Sequence, residues 1–256
     1  MPSNSVKGIP NIYDACCDGS FYEFASNATP VVPGLICEAP VWFADQEMYM
    51  LKEEQYNSYY EEESTWKISK AATLNDIAQC KHNPYKFLQV ESDELLAVIK
   101  YKIRPVVPIC KLITDWKHPQ IPTNAIDYWF CLPIFNYKDR HSQTYVLHDQ
   151  ALDVPHRFYF PSGMPGIEYE GAGKITQIRC IPERYLKSRL CFCKKENKAK
   201  PIRLGKNALN AVTGHIAVLL PEIQIAGVPK DYYEFFKELA KDEVHKLAKA
   251  YKILTF

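Results

Sequence analysis

The chain has 256 residues, 47% hydrophobic and 24% charged, with a formal net charge of +1, which fits a globular protein with a real core in one large domain or two small ones. No run approaches the roughly 18 uncharged apolar residues of a membrane helix, and Met1-Pro2-Ser3-Asn4-Ser5 lacks the basic and apolar regions of a signal peptide, so no membrane partner is expected. Nine cysteines without a secretion signal predict free thiols in a cytoplasmic protein, and neither Cys16-Cys17 nor Cys191-Phe192-Cys193 has zinc-site spacing, so no metal or cofactor is expected.

In chain order, residues 1–30 read as an irregular N-terminal arm broken by Pro10, Gly19 and Pro30. A main domain is expected over 31–222. Its first strand candidate, Leu35–Phe43, follows the Pro33-Gly34 turn. Residues 45–95 read as an insertion. It carries an acidic tract at Glu53, Glu54, Glu61, Glu62 and Glu63, looks partly helical, and offers Thr73 as a helix N-cap. Residues 96–190 are strand-rich, with Pro119, Pro122, Pro133, Pro155, Pro161, Pro165 and Pro182 as punctuation. Two helices follow. Asn207 is the expected cap of the first, whose Leu209, Val212, Ile216, Leu219 and Leu220 share a face. Asp231 with Glu234 is the expected capping pair of a C-terminal helix over 230–256.

Charge divides along the chain. Residues 1–100 hold 15 acidic and 7 basic residues, a balance of −8, and residues 101–256 hold 15 and 24, a balance of +9. The stretch from Lys174 to Lys206 is the most basic, with 11 cations against Glu183 and Glu196, and predicts a phosphate-facing surface.

Three segments carry a family pattern: Lys102-Ile103-Arg104-Pro105-Val106-Val107-Pro108-Ile109, Asp127-Tyr128-Trp129-Phe130-Cys131-Leu132-Pro133-Ile134, and Lys174-Ile175-Thr176-Gln177-Ile178-Arg179-Cys180-Ile181 followed by Pro182-Glu183-Arg184-Tyr185-Leu186. Their order and content resemble the PemK/MazF family of ribonuclease toxins. The resemblance implies a mainly β (α+β) fold, a small SH3-like barrel with the inserted acidic segment and C-terminal helices. It implies metal-independent cleavage of single-stranded RNA by 2′-hydroxyl attack. An antitoxin-like protein and a homodimer are the further partners it brings. The alternative is an inactive barrel that binds RNA, DNA or a protein, including binding of the gyrase-poison kind, because a fold does not determine its chemistry.

On that resemblance Arg104 is the phosphate-binding guanidinium, and Pro105 biases it towards an extended conformation that aims the side chain outward. The family's Thr or Ser after Pro-Ile is replaced by Phe135, which donates no hydrogen bond. Asn136 or Tyr137 can bind a phosphate oxygen in its place, neither as a like-for-like replacement, and Asn136 is taken into the catalytic set. Lys174 and Thr176 complete the catalytic set, on one face of a strand by alternation. Arg179, Arg184, Lys187, Arg189, Lys194 and Lys195 are the expected RNA-binding cations. His118, His141 and His156 are further acid–base candidates.

Overall fold

The computed structural model describes residues 20–26, 30–42, 48–55, 57, 59–60, 63–71, 96–98, 101–112, 127–137, 141–151, 153–221 and 225–238. The fold is mainly β, with strands in several antiparallel sheets and three helices among the described residues. The chain forms two compact units, Met1–Pro40 with Ile103–Phe256, and Val41–Lys102.

The second unit contains strands β3 (Met48–Gln55), β4 (Thr65–Ala71) and β5 (Ala97–Val98), in the order β4-β3-β5. The expected helical character is not found in these stretches. Tyr49, Leu51 and Glu53 pair with Lys70, Ile68 and Trp66, so Glu53 lies on a strand. β-Branched and aromatic residues alternating across a hairpin favour the pleat over the helix. Thr73, and with it the expected helix start, lies outside the described residues, as do Glu61 and Glu62.

In the first unit, β2 (Cys37–Trp42) up to Pro40, β6 (Tyr101–Leu112) from Ile103, β7 (Tyr128–Asn136), β8 (Arg157–Phe160), β9 (Gly171–Lys174) and β11 (Lys187–Ser188) form a sheet ordered β11-β2-β6-β7-β9-β8. β10 (Arg179–Pro182) also pairs with β7. The candidate strand Leu35–Phe43 and the three family-pattern segments thus all contribute a strand to this sheet, the third only from Arg179 onward. The smaller sheet is β1 (Tyr22–Phe24), β13 (Lys198–Leu204) and β12 (Leu190–Cys193), with β13 in the middle. Among the described residues none of the sheets closes into a barrel, which corrects the barrel expectation: β11 and β8 end the larger sheet without pairing to each other. Closure depends on strand tilt and stagger, which alternation along single strands does not report.

Three smaller expectations are corrected. Tyr22–Phe24 of the N-terminal arm is a strand, because Tyr22 is buried and its hydroxyl donates to the Pro161 carbonyl at 2.9 Å. The first long helix, α2 (Lys206–Leu219), begins after Gly205, one residue before Asn207. The next, α3 (Lys230–Glu238), holds Asp231 inside its first turn, and the expected continuation to 256 lies outside the described residues.

The core lies between the larger sheet and α2. Leu132 and Ile134 of β7 and Phe158 and Phe160 of β8 share it with Ala208, Ala211, Val212 and Ile216, whose spacing is that of one helix face. His215, 5% exposed, is buried beside them and stacks on Phe236 of α3 at 4.9 Å. Its ring bonds the Pro155 carbonyl, and Nδ1 is buried without a hydrogen-bond partner. Burial lowers its pKa to about 4.

β9 lies very close to its neighbours because Gly171 and Gly173 carry no side chain. A Cβ at Gly171 would sit 2.6 Å from the Phe135 carbonyl oxygen, and one at Gly173 would sit 2.7 Å from the Phe160 ring. Backbone cannot yield as a side chain can. Gly171→Ala should therefore cost about 1–3 kcal/mol of unfolding free energy in chemical denaturation, whereas Gly163→Ala, whose nearest atom would be 3.8 Å away, should be neutral.

The buried imidazole also makes stability depend on pH. Its folded pKa lies below the unfolded value, so its stabilisation is present above about pH 6.5 and is lost as pH falls through about 4. The full effect is about 3 kcal/mol. Unfolding curves of wild type and His215→Phe between these limits should diverge by that order, with the wild type the more acid-sensitive.

Candidate nucleic-acid interface

β7 fixes the site. Its pairs with β6 run Val106↔Pro133 and Val107↔Leu132, and the same register carried two residues further sets Arg104 opposite Phe135. On the other side Phe135 pairs with Ala172, and Lys174 lies two residues along β9 on the same face. The Arg104 guanidinium carbon is 4.4 Å from the centre of the Phe135 ring, and Lys174 Nζ is 4.7 Å from the same centre. Two cations thus meet on one half-buried aromatic ring, and each distance is within reach of its negative face. Burial lowers the Arg104 pKa, but a guanidinium stays charged at neutral pH.

A polar network adjoins this trio. Arg157 of β8 pairs directly with Lys174. Its guanidinium stacks on Tyr145 at 4.6 Å and donates to Asp149 Oδ1 at 3.3 Å. Asp149 and Tyr145 belong to helix α1 (Gln143–Gln150), which Ser142 caps by accepting from the Tyr145 N–H. The Tyr137 hydroxyl donates to Asp149 Oδ2 at 2.6 Å, and the Tyr159 hydroxyl donates to Glu170 Oε2 at 2.5 Å. Burial raises the Asp149 pKa, opposed by these Tyr137 and Arg157 contacts. Burial and the charges of Arg157 and Lys174 lower the pKa of exposed His156, with Asp149 opposing, which leaves the imidazole neutral near pH 7. His141 packs on Tyr145 at 5.0 Å and Tyr137 at 5.7 Å.

The structure brings Arg104 and Lys174 together and separates the other two members of the catalytic set from them. Asn136 follows Phe135, so alternation turns it to the face of Ile134, where its Oδ1 is buried without a partner. Lys174 ends β9, and Thr176 sits exposed in a 3₁₀ turn, Ile175–Gln177, so the expected shared strand face does not exist. The Ile178 N–H bonds the Ile175 carbonyl and closes that turn, which breaks the apolar run before β10.

The expected RNA-binding cations are dispersed. Arg179 pairs with Cys131, on the β7 face that also carries Phe135. Arg184 lies 5.0 Å over the Tyr185 ring. Lys187 is on β11, three strands from β7, or about 14 Å at normal strand spacing. Arg189 bonds Glu38 at 3.0 Å. Lys194 and Lys195 are exposed in the β12–β13 turn. His118 lies outside the described residues.

The six described cysteines are free thiols, and burial pushes Cys37 up to about 12 and raises Cys131 further, so neither is a thiolate at neutral pH. Among the described residues no three His, Cys, Asp or Glu side chains gather as a metal-ligand set, and no helix is long and apolar enough to cross a membrane.

Sequence reasoning missed Phe135 as the ring on which Arg104 and Lys174 meet, because at that position the family pattern calls for a hydroxyl. It also missed Asp149, Tyr145 and Arg157. The alternation Arg157-Phe158-Tyr159-Phe160 was the available signal, since it sets Arg157 and Tyr159 opposite the two core phenylalanines.

The chain matches no protein-family model, no curated protein and no solved structure.

The trio gives a stability test. Phe135→Leu keeps apolar bulk and removes the ring's negative face. It should lower unfolding free energy by about 0.5–1 kcal/mol. Combined with Lys174→Met in a double-mutant cycle, the two losses should be less than additive. Full additivity would separate Lys174 from the ring.

Proposed function

We propose that the chain is a single-stranded RNA-binding protein, a divergent and open counterpart of the PemK/MazF barrel, with Arg104, Phe135 and Lys174 as its nucleotide contact. The observation that carries this reading is the meeting of two cations on the Phe135 ring. Every base has a π face that stacks on an aromatic side chain, at about 1–3 kcal/mol per base; Arg104 and Lys174, which lie over the ring here, swing from it to the phosphates on either side as the base takes their place. Arg179 on the same sheet face extends the positive surface. Binding is favoured over cleavage because Phe135 has no donor and because Asn136 and Thr176 are turned or displaced from the trio.

The second reading is metal-independent endoribonuclease cleavage, and His156 favours it. A neutral imidazole accepts the 2′-hydroxyl proton as the 2′-oxygen bonds to phosphorus, Lys174 and Arg104 balance the charge that builds there, and the P–O5′ bond breaks to leave a 2′,3′-cyclic phosphate, with water protonating the departing 5′-oxygen. An antitoxin-like partner, a homodimer and a cytoplasmic setting belong to this family reading. Binding of DNA or a protein partner, as in gyrase poisons, is the other use of the same sheet.

Anisotropy titrations with a labelled, unstructured RNA test both readings. Affinity should fall with salt at a log–log slope of about −0.7 per phosphate neutralised, and Arg104→Ala or Lys174→Ala should each flatten that slope by about 0.7. Phe135→Ala should weaken binding by about 1–3 kcal/mol. RNA left intact in the presence of chelator supports binding alone. Cleavage that survives chelator and disappears in His156→Gln supports the enzyme. Failure to bind RNA at low salt rejects both.

A further inference from the structure

We propose that strand β12 is a docking edge that takes an acidic, extended peptide segment of a partner protein as an added strand. The inference is independent of the RNA reading, because β12 belongs to the smaller sheet and Phe135 to the larger one.

β12 is the outer strand of the order β1-β13-β12. Its pairs are Leu190↔Pro201, Cys191↔Lys200, Phe192↔Ala199 and Cys193↔Lys198. The Ile202 N–H bonds the Arg189 carbonyl, which sets the parity of the ladder. By that parity Cys191 and Cys193 exchange hydrogen bonds with β13, and Leu190 and Phe192 direct their N–H and C=O groups away from it. The side chains of these two residues are also the exposed ones, at 56% and 53%. Cys193 is buried instead, and the Cys191 thiol bonds the Gly166 carbonyl at 3.3 Å. Exposed edges in folded proteins are usually blunted by shortness, a charge, a proline or a bulge, and β12, at four residues, has only the first. Leu190–Cys193 contains no charged residue and no proline, and its pairing with β13 shows no register shift. An open row of backbone groups joined to an apolar strip is the arrangement used for strand addition.

Charge selects the occupant. Arg189 is paired with Glu38, Lys198 and Lys200 with Glu196, and Arg203 with Glu23. Exposed Lys187 before the strand, and exposed Lys194 and Lys195 after it, have no acidic partner among the described residues. In an antiparallel edge-to-edge dimer, Lys194 and Lys195 of each copy would face Lys187 of the other, which is repulsive. A segment with carboxylates at both ends and β-branched residues between them meets both the charge and the apolar strip.

The probe is a fluorescein-labelled peptide, Glu-Glu-Val-Thr-Val-Thr-Val-Glu-Glu, titrated into the full chain at low salt. Binding in the micromolar range is expected. It should weaken at least about tenfold when alternate peptide nitrogens are methylated, when the four Glu become Lys, and for Phe192→Pro, which removes an outward N–H and leaves the β13 ladder intact. The Lys194→Glu, Lys195→Glu double variant, which leaves the strand untouched, should show a similar loss that shrinks as salt rises. No binding overturns the proposal, as does equal binding of the methylated or the lysine peptide. Concentration-dependent dimerisation abolished by Phe192→Pro would assign the edge to a second copy, and loss of RNA affinity in that variant would assign it to nucleic acid. Either result also overturns the proposal.

Discussion

The two-sided pairing of β7 is the constraint on which the first unit depends. β6 lies along one edge of β7, and β10 and then β9 occupy the other. Successive residues of one strand therefore serve opposite purposes. Leu132 and Ile134 enter the core, and Phe135 turns away from it to receive Arg104 and Lys174. A one-residue slip would exchange these faces, exposing the two core side chains and burying the Phe135 ring. Core packing thereby fixes the geometry of the candidate site.

The approach of β9 is the second link in that chain of causes. Gly171 and Gly173 permit a separation that any side chain would prevent, and Lys174 ends the same short strand. Next to it, Asp149 draws in both the Tyr137 hydroxyl and the Arg157 guanidinium. A buried carboxylate requires such partners. Arg157 is thus committed to the α1 contact, while its cross-strand neighbour Lys174 turns to Phe135. Two adjacent cations of like charge are kept apart by different acceptors, one a carboxylate and one a ring.

The two candidate surfaces differ in kind. At Phe135 the sheet offers an aromatic ring beneath two cations, which the proposed reading assigns to a base and its phosphates. At β12 it offers unpaired backbone beside apolar side chains, suited to another strand. The basic run from Lys174 to Lys206 contributes to both, because the fold distributes its cations instead of gathering them on one face. Ion pairs with Glu38, Glu196 and Glu23 occupy several of those cations.

By itself, the sequence determined the strand-rich character, the positions of β2, β6 and β7, and the helix at Lys206–Leu219, because alternation, proline punctuation and the spacing of Val212 and Ile216 are local signals. It also singled out Arg104 and Lys174, but as members of a family pattern and without their meeting point. Tertiary structure decided the rest. It left the sheets open, interrupted the Lys174–Ile181 run with a 3₁₀ turn, and made a hairpin of part of the acidic insertion. It set Arg104 across from Phe135, and it placed Lys194 and Lys195 in a hairpin turn of a different sheet. Closure, register and the identity of cross-strand neighbours arise from contacts between distant segments, and no single strand records which partner will lie beside it.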